Sequence, residues 1–181
     1  MKQAIEYKVA MPEGVSASKE NAMLTVKGKQ GEISRDFAHP LISVTLDGSD
    51  IVVACEKATK REKCQMGTFN AHIKNMVNGV QEKFTYTLKI CSSHFPMNVA
   101  VSGQTLTVKN FLGEKNARVA DVPVGVSAKV QDKDIILESV DRELAGIAAS
   151  RIEQLTRVTN KDRRIFQDGI YITGKDQRRA Q

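Results

Sequence analysis

With 181 residues and 41% apolar side chains, the chain can fill one domain or two small ones and is too apolar for wholesale disorder. A net charge of +6 and a pI near 9.3 favour a polyanionic partner, while 5% aromatics and no tryptophan exclude an extended base-stacking surface. The three cysteines, Cys55, Cys64 and Cys91, are odd in number and lack a C-x-x-C pair, which excludes a disulfide framework and a zinc knuckle; they read as reduced, semi-buried small hydrophobes.

The opening stretch MKQAIEYKVAMPEG is interrupted by Glu6, Lys8 and Pro12, so it is not a signal peptide, and no later run is long enough for a membrane span. A soluble, cytoplasmic chain is expected. Next comes AMLTVKGKQGEISRDF, which alternates Met23 and Thr25 with Leu24 and Val26 and turns at Gly28 and Gly31, a hairpin pattern. ISVTLDGSDIVVAC gives a second hairpin around Asp47–Gly48. Thr59 and Glu62 form a capping box ahead of a helix with Met66, Phe69, Ile73, Met76 and Val77 on one face, stopped at Gly79. A linker follows over 78–83, and KFTYTLKICS either opens a second unit or pairs back to the first.

From there the chain repeats itself. LTVKGKQGE at 24–32 returns as LTVKNFLGE at 106–114, with six of nine positions identical. Asp50-Ile51 returns as Asp134-Ile135, and MGTFNAHIKNMV faces AGIAASRIEQLT with Gly67 on Gly146 and Ile73 on Ile152. Three matches in the same order indicate an internal duplication. Hairpins are expected around Ser102–Gly103 and Gln131–Lys133, then a helix capped by Asp141 with Leu144, Ala148, Ile152 and Leu155 inward and Arg142, Glu153 and Arg157 outward. The fold class is therefore α+β: two tandem duplicated domains, each a small, mostly antiparallel sheet with one helix on one face. The boundaries are 1–81 for the first repeat, 82–174 for the second and 175–181 for a basic tail.

Chemistry-bearing motifs are missing. His39, His72 and His94 have no partners at metal-ligand spacing, and there is no phosphate-binding glycine loop and no nucleophile motif. No enzyme, metal, cofactor or small-molecule substrate is expected. What separates the two copies is charge: residues 1–82 hold 11 basic and 10 acidic side chains, a net of +1, and residues 83–181 hold 16 and 11, a net of +5. Lys109, Lys115 and Arg118 flank a turn at Gly113. Arg157, Lys161, Arg163 and Arg164 precede DGIYITGK, where a short strand over 170–172 would hold Tyr171 and project Lys175. With Gly169 and Gly174 permitting close approach, these residues suit an RNA backbone groove. Lys27, Lys29, Lys60, Arg61 and Lys63 are secondary candidates. The competing reading is a protein–protein adaptor with two docking domains.

The tandem repeat together with RDFAHP, HIKNMVNGV, HFPMNV, NFLGEKNAR and NKDRRIFQDGIYI resembles the large-subunit ribosomal protein six family in its archaeal–eukaryotic form, over nearly the whole chain. The resemblance implies two α+β domains without catalytic activity. It implies a ribosomal constituent that binds large-subunit rRNA near the sarcin–ricin loop, among neighbouring ribosomal proteins and close to docking translational GTPases. The second domain would make most of the contact. The bacterial form has a Lys- and Gly-rich string where this chain has QDGIYI, so the resemblance assigns the contact to Arg163 and Arg164 rather than Asp168.

Overall fold

The structure, a computed structural model, describes residues 3–176. Its internal contacts divide the chain into two compact units, the first running to Lys83 and the second beginning at Phe84. The first unit holds β1 (Gln3–Ala10), β2 (Ser16–Glu20), β3 (Met23–Gly28), β4 (Gly31–Asp36), β5 (Ser43–Asp47), β6 (Asp50–Ala58) and α1 (Lys60–Gln81). The second repeats that order with β7 (Phe84–Cys91), β8 (Asn98–Ser102), β9 (Thr105–Lys109), β10 (Arg118–Asp121), β11 (Val126–Gln131), β12 (Asp134–Ser139) and α2 (Arg142–Leu155), then adds β13 (Gly169–Lys175).

Each repeat contains two antiparallel sheets rather than the single one expected. In the first unit the orders are β1-β6-β5 and β2-β3-β4. In the second, β8, β9 and β10 reproduce the latter, while β11-β12-β7-β13 reproduces the former with β13 added on the outer edge of β7. KFTYTLKICS thus opens the second unit. Each helix packs on strands of both sheets of its own unit, so its apolar stripe closes a three-walled core.

The alternation read from the sequence is the alternation that packs. Leu24 and Val26 of β3 and Ile51 and Val53 of β6 are fully buried against Met66, Phe69, Ile73, Met76 and Val77 of α1. Phe37 meets Phe69 edge-on at 5.1 Å between ring centroids. In the second unit Leu106 and Val108, Ile135 and Leu137, and Ala145, Ala148, Ala149 and Ile152 take the corresponding places. Leu144 and Leu155 are only half-buried. Ala145 and Ala149 are fully buried in their stead.

The helix starts are as expected. Thr59 caps α1 in a capping box, its backbone N–H donating to Glu62 Oε2 at 2.8 Å. Asp141 caps α2, accepting from the Glu143 N–H at 2.8 Å. The end of α1 differs: Gly79 lies inside the helix, which continues to Gln81, so the linker shrinks to Glu82 and Lys83. Burial explains the continuation, because Val80 is fully buried and its carbonyl accepts from the Gln30 N–H of the β3–β4 turn at 2.9 Å. Packing overrides the glycine's stop signal. Cys64 is exposed on α1, not semi-buried.

That turn also makes Gly28 specific. A Cβ there would stand 2.8 Å from Val80 Cγ2 and 2.9 Å from the Val80 carbonyl oxygen, and the backbone atom cannot swing aside. Gly28→Ala should therefore cost about 1–3 kcal/mol by overpacking. Gly67→Ala, on the exposed face of α1 with nothing within 4 Å, should stabilise by about 0.5–1 kcal/mol. Thermal melts of the two variants check the pair; equal effects would refute the packing account.

Candidate nucleic-acid interface

The second unit's distinguishing parts are β13 and the connection that brings the chain back to it from α2. The connection leaves α2 at Thr156 and makes a tight turn over 163–165 held by Asp162. The Asp162 backbone carbonyl accepts from Ile165 and Phe166 N–H, and its carboxylate accepts from the Arg164 N–H at 3.0 Å and from the Arg164 guanidinium. The Arg164 contact holds the Asp162 carboxyl below the usual carboxylate range. Lys161 lies 4.6 Å over the Phe166 ring, and His94 stacks on the same ring at 4.8 Å.

Asp168 is buried and anchors this connection to the loop after β7. It accepts from the Ser93 N–H, from Ser93 Oγ at 2.8 Å and from the His94 N–H at 3.3 Å, and it pairs with His94 Nδ1 at 2.5 Å. Burial works to raise the Asp168 pKa, but the combined hydrogen bonds from Ser93 and His94 outweigh it and hold the carboxyl below its ordinary value. Asp168 is thus a structural tie between the connection and the loop after β7.

β13 then runs from Gly169 to Lys175, longer than the three residues expected, so Lys175 ends the strand instead of projecting beyond it; residues 177–181 of the predicted tail lie outside the described residues. Its core-facing side chain Ile170 is buried, while Tyr171 points out with 42% of its surface exposed. Gly169 is buried, and a Cβ there would press on the Tyr171 ring at 3.2 Å, so this glycine seats the ring and does not offer its own backbone to a partner. Tyr171 Oη donates to the Gln167 carbonyl at 3.1 Å, and burial raises the phenol's pKa. Gly174 sits at a register shift against Thr87 of β7.

Tyr171 borders two depressions. On one side a cavity of about 630 Å³ is lined by Lys89, Cys91, Ser93, Lys133, Gln167 and Asp168. On the other a cavity of about 240 Å³ is lined by Glu153, Thr156, Arg157, Val158 and Arg163. Lys89 is Tyr171's cross-strand partner on β7, and Lys133 arrives because its carbonyl accepts from the Ile90 N–H at 2.7 Å. One exposed ring therefore stands between two cationic flanks.

Of the residues selected from sequence, Arg157, Arg163 and Tyr171 meet here, with Lys161, Arg164, Gly169, Gly174 and Lys175 on the same two segments. Arg118 is committed elsewhere: it donates to Glu114 at 2.6 and 2.8 Å and to the Leu155 carbonyl at 2.7 Å, and lies 4.3 Å over the Phe111 ring. Its half-buried guanidinium links the 114–118 loop to the C-terminal end of α2, where a cation suits the helix dipole. Lys109 and Lys115 are exposed at the end of β9 and in that loop. In the first unit Lys27 pairs with Glu32 at 2.9 Å across the hairpin. Lys89 and Lys133 escaped the sequence reading; the strand partner that makes Lys89 useful lies 82 residues away, at Tyr171.

Two tandem α+β repeats, the second extended by a strand that carries an aromatic ring between cationic flanks, define a duplicated scaffold protein with one specialised copy. The ribosomal protein L6 family profile matches residues 11–83 and 95–169, one segment in each repeat, and the second ends where β13 begins. The chain belongs to that family. It is 47% identical over 176 residues to large ribosomal subunit protein uL6 of Nanoarchaeum equitans, covering 93% of this chain and 92% of that one. The uL6 proteins of Methanocella arvoryzae and Desulfurococcus amylolyticus are 43% and 42% identical over 168 and 174 residues, covering 92% and 94% of this chain and 95% of each relative.

Proposed function

We propose that this chain is a structural constituent of the large ribosomal subunit that binds large-subunit rRNA mainly through its second repeat. Family membership supports the ribosomal role and a cytoplasmic ribosomal location. The observation that carries the RNA reading is Tyr171, exposed between Lys89 and Lys133 on one side and Arg157 and Arg163 on the other. A ring offers a stacking face to an unpaired base, and cations on both sides follow the phosphates leading to and from it. Lys115, Lys161, Arg164 and Lys175 extend the positive surface, and Arg118 positions the 114–118 loop. The contact lies by the sarcin–ricin loop, beside the docking region of translational GTPases and among neighbouring ribosomal proteins; the family resemblance supports this finer placement.

Sedimentation of lysate on a gradient, with fractions probed for the chain, tests the role: co-migration with the large subunit through a moderate salt wash is expected, and migration as a free protein would sink the proposal. Tyr171→Ala should weaken binding to an rRNA fragment by about 1–3 kcal/mol, the range for one stacked base. Tyr171→Phe, which loses only the bond to Gln167, should bind almost as well as the parent. Equal loss in both variants would show that the phenol hydroxyl, not stacking, matters.

A further inference from the structure

The duplication leaves one edge filled and its counterpart open. Setting Ile51 on Ile135, as the repeat does, makes Val9 of β1 the counterpart of Leu88 of β7, since each is the cross-strand partner of its isoleucine and each is buried. β7 has a neighbour on both sides, β12 and β13, whereas β1 pairs only with β6 among the described residues. The Met11 N–H donates to the Ser49 carbonyl at 2.8 Å, which fixes the parity of the ladder: Ile5, Tyr7 and Val9 turn their amides toward β6, and Glu6, Lys8 and Ala10 turn theirs outward. Lys8 and Ala10 correspond to Thr87 and Lys89, the residues beside β13.

The outer edge of β13, by contrast, is closed by side chains. The Ile170 N–H donates to Thr156 Oγ1 at 2.8 Å and the Ile172 N–H to Glu153 Oε1 at 3.1 Å, so two amides that could template a further strand are taken. No such cap meets the outward amides of β1 among the described residues. Where Ile170 and Ile172 of β13 lie against α2 in the second unit, the first has a groove of about 570 Å³ between β1 and α1. Its walls are Val9, Ala10 and Val77, with Lys74 and Lys8 at its margins, the latter paired with Glu6 at 3.3 Å on the exposed face of β1.

From this we infer that the β1 edge of the first unit is a docking site for an extended segment of a partner protein, which adds as an antiparallel strand in the place β13 occupies in the second unit. The geometry specifies the segment. It carries aliphatic residues at alternate positions to fill the groove beside Val9 and Val77, and an acidic residue that takes the place of Glu6 on the exposed Lys8 ammonium. Backbone pairing to Glu6, Lys8 and Ala10 supplies affinity, and the groove supplies register. The inference rests on the first unit alone and does not depend on the RNA reading.

The test uses the full chain and a capped eight-residue peptide of alternating valine and threonine with aspartate at both ends, with amide hydrogen exchange read by NMR. Slowing of about ten-fold or more is expected at Glu6, Lys8 and Ala10 under saturating peptide, with amides of β13 unchanged. Lys8→Pro removes one outward N–H without touching the β6 ladder and should abolish the protection. Lys8→Glu, which leaves the backbone intact, should weaken peptide binding several-fold and guards against misfolding of the proline variant. Absent binding, or protection confined to other strands, would overturn the inference. So would concentration-dependent protection of β1 without peptide, which would make a second copy of the chain the occupant.

Discussion

Asp168→Ala should destabilise the second unit by about 2–4 kcal/mol, the range for stranding buried donors around a lost carboxylate. The reason is the number of groups that depend on it. Both backbone amides of Ser93 and His94, the Ser93 hydroxyl and His94 Nδ1 all converge on this one side chain, which is 1% exposed. No other acceptor for those amides is found among the described residues. For a unit of this size the loss corresponds to a fall in melting midpoint of roughly 10–20 °C. Asp168→Asn, which keeps one acceptor oxygen, should lose about half as much. The pH dependence carries a definite sign. The folded-state pKa lies below the unfolded one, so the stabilisation is complete above the ordinary aspartate range and is lost as pH falls through the folded value. Calorimetry of parent and Asp168→Ala at pH 7 and again well below the carboxylate range should show the gap narrowing in acid. A gap that is constant with pH would mean that the carboxylate's charge contributes nothing.

The same residue shows where sequence reading stops. His94 and Asp168 are 74 positions apart and belong to no local pattern, so nothing short of the β7–β13 pairing brings them together. The elements themselves were legible, because period-two alternation over 23–26 and over 134–137 and the two helix caps are local signals that packing reinforces. Turn positions were legible to within one residue: the loops are Gly48–Ser49 and Gly103–Gln104, with positive φ at the glycine, which is the first loop residue rather than the second. The assignment of strands to sheets was not legible, since strands of either sheet show the same alternation and only the crossover decides the neighbour. The candidate interface divides the same way. Arg157 and Arg163 were selected because charge clusters along the chain near residue 160, and Tyr171 as the ring of the following DGIYITGK, whereas Lys89 is a lone cation in an apolar strand and comes beside Tyr171 only through the strand pairing. Arg118 shows the reverse: its charge is conspicuous in sequence, but only the fold reveals that Glu114, the Leu155 carbonyl and the Phe111 ring engage its guanidinium.

Replacing Lys89, Lys133, Arg157 and Arg163 together with glutamine should lower affinity for an rRNA fragment roughly 10³-fold at 0.1 M salt. Each phosphate contact contributes about 0.7–0.9 to the slope of log affinity against log salt, and so close to one decade at that concentration. The slope itself should fall by about three, which separates lost phosphate contacts from lost shape. All four side chains are exposed, so the melting midpoint should move by no more than a surface substitution usually allows, about 0.5 kcal/mol each. Lys60→Gln with Lys63→Gln, at the start of α1 in the nearly neutral first unit, removes two charges rather than four and serves as the control, which should change the slope by less than one. The comparison discriminates between the two classes of function the sequence left open. A chain whose work is done through apolar docking would bind its partner with little dependence on salt, and the quadruple variant would be silent. A slope that falls by the same amount per charge removed in the control would mean that net charge, and not the cleft around Tyr171, attracts the RNA. Only a loss confined to the cleft variant, steep in salt and without thermal cost, locates the RNA surface on β13 and the edge of the sheet it completes.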